Sequence, residues 1–196
     1  MIKNNSKTKQ AKILRIFRKV HRSMGAMLFV FFFFIAISGM LLGWKNHSSG
    51  LIIPTTEIGS SSNLKHWLTI DSLHKNAVQI LQDSVSSNIS LVLDRIDIRK
   101  EKGIVKFIFE KHLWEVQLDG VSGDLLHLGK RQSDLIESIH DGSILDAYFG
   151  TTNTQIKVIY TSIMGFSLLL FTITGFWLWY GPKKMKRLKN KTVSKI

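Results

Sequence analysis

The chain has 196 residues, with 27 Lys+Arg against 14 Asp+Glu and a formal net charge of +13. It has no cysteine, which excludes disulfides, thiolate metal sites, iron–sulfur clusters and cysteine nucleophiles and leaves seven histidines as the soft ligands. The basic excess sits at the two ends: residues 1–22 hold eight Lys/Arg and no acid, residues 181–196 hold seven and no acid, and residues 45–156 hold eleven against all fourteen acids. Such tails beside apolar runs are topology determinants and contacts for anionic lipid, so nucleic acid is not an expected partner.

Residues 1–22 form a basic arm in which Ile13, Leu14, Ile16, Phe17 and Val20 alternate with Lys12, Arg15, Arg18 and Lys19, an amphipathic lead-in to a membrane. Ser23 to Trp44 then runs for 22 residues without a charge. At 1.5 Å per residue this is about 33 Å, enough for the roughly 30 Å hydrocarbon core, so residues 23–44 are the first expected transmembrane helix. The run is too long and too bulky for the apolar core of a signal peptide. On a helix, His21, Gly25, Gly39 and Gly43 share one face. Gly39 and Gly43 make a Gly-x-x-x-Gly pair, and Gly25, Gly39 and Gly43 are a candidate contact either with a second span or with a second copy of the chain.

Residues 45–70 are turn-rich, include His47 and Pro54, and read as a linker. From Asp71, a candidate N-cap, Ala77, Val78, Ile80, Leu81 and Val85 recur at helical spacing. Ser90–Ile98 reads as a strand. Val105, Phe107 and Phe109, then Trp114, Val116 and Leu118, alternate with their neighbours as two antiparallel strands turning at Glu110-Lys111-His112, and Leu125–Leu128 follows as a short fourth strand. His66, Trp67, His74, His112 and His127 are expected at the surface or at sheet edges. Asp94, Asp97, Asp119 and Asp124 fit no calcium loop and read as solvated turn carboxylates. Residues 131–157 hold an amphipathic helix, Arg131–Asp141, with Ser133 as cap and Gly142 as stop, then a polar connector. Residues 158–180 are a second uncharged run of 23 residues, closed by Gly181-Pro182, and 181–196 are the basic tail.

The run from Trp114 to Leu126, with its Asp119-Gly120 and Gly123-Asp124 turn behind a helix and a meander, resembles a PepSY domain. Arg18-Lys19-Val20-His21-Arg22, Ser38-Gly39-Met40, Ile139-His140-Asp141-Gly142 and Thr174-Gly175-Phe176-Trp177 are similar to motifs of the PepSY-associated transmembrane family, so that the resemblance covers nearly everything from Arg18 to Pro182. It implies a membrane α+β protein: two transmembrane helices flanking an extracytoplasmic PepSY-like helix-plus-antiparallel-sheet domain, residues 71–130, with both termini cytoplasmic in the inner membrane.

The family includes larger membrane proteins linked to ferric-siderophore uptake, some of them haem-bearing reductases. The function implied is an accessory role in iron or siderophore acquisition through an extracytoplasmic domain that docks an envelope protein. One alternative is a haem-b electron carrier or siderophore-reductase component acting as an oligomer, and another is a protease-regulating PepSY module. By resemblance, His21 and His140 match the family's histidine motifs. Haem b ligated by two histidines needs both imidazoles facing one iron, and His21 and His140 are expected at opposite ends of the spans. His47 with His140, or two copies of His21 across a dimer, are therefore the candidate ligand pairs, and a monomer is expected without haem.

Overall fold

The computed structural model describes residues 2–151 and 154–193, with the side chains of residues 8–151 and 154–187. The chain divides into two compact units, Met1–Ile37 with Ile139–Ile196, and Ser38–Ser138.

The expected basic arm and first span are one continuous helix, α1 (Ile2–Trp44), which belongs to the first unit as far as Ile37, because nothing between the amphipathic lead-in and the apolar run breaks the hydrogen-bond ladder. The second long helix, α5, runs from Gln155 to Val193. Gly181-Pro182 does not close it. Pro182 lies inside the helix, where it removes a single N–H donor, and the lysine-rich stretch beyond is a good helix former. Both helices are long and apolar enough to cross a membrane, and only 11% and 6% of their most apolar windows are buried, which is unlike a core helix of a water-soluble protein. They pack antiparallel, since rising positions on α1 meet falling positions on α5. Phe17 meets the edge of Trp177 at 6.0 Å, His21 meets Thr174, Gly25 meets Phe171, and Phe31 meets Tyr160 at 6.4 Å.

The expected polar connector contains a helix of its own, α4 (Ser143–Phe149), which follows α3 (Gln132–Asp141) across Gly142. Gly142 has φ +79° and faces the Tyr160 ring so closely that a Cβ would lie 2.5 Å from it, so glycine is required there twice over. The short helix positions Asp146, whose carboxylate accepts the Thr151 hydroxyl and the backbone N–H groups of Ile156 (3.1 Å) and Lys157 (2.7 Å). A residue nine positions upstream thus caps α5, satisfying amide groups that have no partner inside the helix.

The second unit is an α+β module. Helix α2 (Ile70–Ser84) lies on a four-stranded antiparallel meander in the order β1 (Leu93–Arg99), β2 (Ile104–Phe109), β3 (Trp114–Asp119), β4 (Leu125–Lys130). Its N-cap is Thr69, whose hydroxyl accepts the Ser72 amide, and Asp71 falls in the first turn instead. Leu73, Ala77 and Leu81 of α2 close on Val105, Phe107, Phe109, Val116 and Leu118, all fully buried. Trp67 and His74 are half-buried against the core. Trp67 packs on this core, covers Gly120 and donates its indole N–H to the Ser61 carbonyl at 2.8 Å, while His74 stacks on Phe107 at 5.7 Å.

Strands β2 and β3 are buried on both faces, a pattern that simple alternation does not predict. The second face is covered by the stretch expected as a linker. Its backbone exchanges hydrogen bonds with Gln117, from Glu57 N–H at 3.1 Å and to Thr55 C=O at 2.6 Å, and Ser60 donates to Asp119 at 2.6 Å. Ser133 is likewise no cap. It lies inside α3, and its amide donates to the Ile52 carbonyl of the same strap at 2.7 Å.

Candidate functional site

Two of the three histidines singled out by sequence lie in the helical unit, but at different levels. His21 is wedged between the long helices: its Nδ1 is 2.9 Å from the Thr174 hydroxyl, its ring stacks on Phe171 with centroids 3.8 Å apart, and its Cε1 is 3.3 Å from the place a Cβ on Gly175 would take. Glycines at positions 25 and 175 admit the two aromatic rings where larger side chains would hold the helices apart. Within the chain nothing approaches the Cβ position of Gly43 within 4 Å.

His140 lines an apolar cavity of about 540 Å³ with Phe32, Ala36, Tyr160, Met164 and Leu168. Phe171 borders the same cavity, at the end where His21 backs its ring. From the level of Tyr160 to that of Thr174 is roughly 20 Å along α5. A bis-imidazole haem iron needs two imidazoles, each within about 2 Å. His21 and His140 of a single chain do not meet that requirement, and His21 already spends one nitrogen on Thr174 and one ring face on Phe171. His47 ends a single 3₁₀ turn, Lys45–His47, in the other unit. Among the described residues no group of three or more His, Cys, Asp or Glu could hold a metal ion.

A second constellation escaped the sequence. On the strap-covered face of the sheet, Glu115 is fully buried and bound by two cations, Lys106 through Oε1 at 3.0 Å and Arg131 through Oε2. Gln117 donates to the same Oε1 at 2.7 Å, and Lys106 also donates to the Thr56 hydroxyl at 2.9 Å. Arg131 continues to Asp134 at 2.9 Å, and Asp134 to Arg95 at 2.9 Å. Burial pushes the Lys106 ammonium below its ordinary pKa, although Glu115 acts the other way. For Asp134 burial favours the neutral acid, but the Arg131 hydrogen bond and charge outweigh it and hold the carboxyl below its ordinary value. Asp119 behaves alike: burial is outweighed by hydrogen bonds from Ser60, Ser122 and Val121. The only hint in the sequence was a Lys and a Glu on neighbouring strands, which also suits a solvated sheet face; in the register Lys106 faces Gln117, and Glu115 is its diagonal neighbour, opposite Ile108.

These two units, one with two apolar helices packed antiparallel around His21 and the other a helix-on-sheet module, accompany a direct match. The chain matches the family of the PepSY-associated TM region over residues 2–181. It belongs to that family and is a membrane protein. No curated protein and no solved structure matches it significantly.

Proposed function

We propose that the chain is an inner-membrane accessory protein whose α+β unit is displayed on the extracytoplasmic side and docks an envelope protein engaged in iron or siderophore acquisition. The observation that carries this reading is the asymmetry of charge around the apolar helices. Fifteen Lys/Arg and no acid flank their far ends, at residues 1–22 and 181–196, and the region between carries fourteen acids. Cytoplasmic loops and tails accumulate Lys/Arg, so both ends stay inside and the module faces out. The family membership supports a PepSY-type role, and the iron assignment rests on the resemblance to siderophore-linked members.

The module is built as a scaffold and not as a reaction centre. Its buried Glu115, Lys106 and Arg131 are held in one network with Asp134, which makes this part of the module rigid. The test is uptake of a radiolabelled ferric siderophore by cells lacking the gene. The expected outcome is a loss that the full chain restores and a chain without residues 71–130 does not. Unchanged uptake under iron limitation overturns the iron role.

A further inference from the structure

Residues 45–156 are acidic in balance, yet five of their eleven Lys/Arg converge on one cavity. Arg99, Lys100, Lys102, Lys106 and Arg131 line a space of about 620 Å³, joined by Asn46, Ile53 and Thr56, with Glu101 as the sole acid in the lining. The volume is that of a small-molecule site.

The cations fall into two sets. Lys106 and Arg131 form a floor, pinned by Glu115 and by Thr56, so they cannot turn away. Arg99, Lys100 and Lys102 form a rim on the end of β1 and on the 3₁₀ turn Lys100–Lys102, which Gly103 closes at φ +72°. The rim pairs are loose: Arg99 is 3.6 Å from Asp97 and Lys100 is 3.4 Å from Glu101, with the two cations 57% and 54% exposed. Exposed pairs of this kind contribute little and exchange readily for a better partner. Lys102 donates to the Thr56 carbonyl at 3.1 Å, a neutral acceptor that an anion would outcompete.

We infer that this cavity binds a small, multiply charged oxyanion of the polycarboxylate or phosphate class. The planar Arg99 guanidinium supplies bidentate recognition at the rim, and the two lysines add point charges. The ligand is a dissolved molecule and not a lipid headgroup, because the lining holds a single exposed aliphatic side chain, Ile98, and no aromatic anchor. This site goes beyond the docking role and stands without it.

The experiment is calorimetric titration of the full chain in neutral detergent with citrate and, separately, with pyrophosphate. Saturable binding is expected for at least one of them. The double substitution Arg99→Gln/Lys100→Gln should weaken it by about tenfold or more, and Lys102→Gln should weaken it in the same direction. Lys65→Gln/Lys111→Gln, which removes equal charge from exposed positions outside the cavity, should change it less than about twofold. Absence of saturable heat with both anions overturns the site, as do equal losses in the rim and control variants. Micelles doped with phosphatidylglycerol give the last arm. Retained affinity supports a dissolved ligand, and loss of the citrate or pyrophosphate signal overturns that assignment in favour of a headgroup.

Discussion

Glu115 lies between Lys106 and Arg131 with no exposed surface, and Gln117 adds a donor to the same carboxylate. Neutralising it leaves buried Lys106 without a counter-charge and Arg131 with Asp134 alone. Glu115→Gln should therefore destabilise the module by about 3–5 kcal/mol, measured by denaturant unfolding followed through tryptophan fluorescence, whereas replacing all three charges by apolar groups should cost far less. Asp119 and Asp134 give the acid dependence. Their carboxyls titrate below their ordinary values in the folded chain, so the unfolded chain takes up protons first as pH falls. The stability they contribute is complete above the unfolded value, about pH 4, and is lost as pH drops through the lower folded values. The unfolding midpoint should fall steeply below pH 4, and Asp134→Asn should flatten part of that fall. None of these roles was legible residue by residue. Glu115, Gln117 and Asp119 alternate with Val116 and Leu118, and period two alone assigns them to solvent.

The elements were legible as far as their causes are local. Two uncharged runs marked α1 and α5, the spacing of Ala77, Ile80 and Leu81 marked α2, and period two marked β2 and β3. Their ends were less so. Thr69 caps α2 one residue ahead of its first turn, α5 runs through Pro182, and α4 exists to bring Asp146 under the start of α5. The start of α5 depends on Asp146, ten and eleven residues before the amides it accepts, whereas the Thr69 cap is local and is masked in the sequence by the neighbouring Asp71. The packing of α1 on α5 makes a prediction at this scale. A Cβ at Gly25 would already lie 3.3 Å from Phe171, so Gly25→Leu should push the helices apart at a cost on the order of 1 kcal/mol or more. Cysteine pairs placed at Phe17 and Trp177 should then crosslink less efficiently than in the parent. Gly43→Leu should leave that crosslink unchanged, since open space faces Gly43.

At the scale of the whole molecule, reporter fusions at Ser61 and at Ile196 should show opposite compartments, Ser61 outside and Ile196 inside, and a cytoplasmic reporter at Ser61 would refute the proposed display of the module. Protein purified as a monomer from haem-replete cells should show no bis-histidine Soret band, because His21 sits at the level of Thr174 while His140, on α3, lines the cavity at the level of Tyr160. A stoichiometric band abolished by His140→Ala would instead assign the chain to electron transfer in an oligomer. The sequence by itself determined the membrane class, the two long helices, the helix-then-meander order and the family, because apolar length, charge asymmetry and residue periodicity are properties of neighbouring positions. Only the tertiary structure decided what covers the second face of the sheet, which charges pair there, and that His21 meets Thr174 while five cations gather around one cavity. Those features join residues far apart in sequence, such as Thr56 with Lys106 and Glu115 with Arg131, and the free energy of burying a charge depends on the partner that folding brings to it.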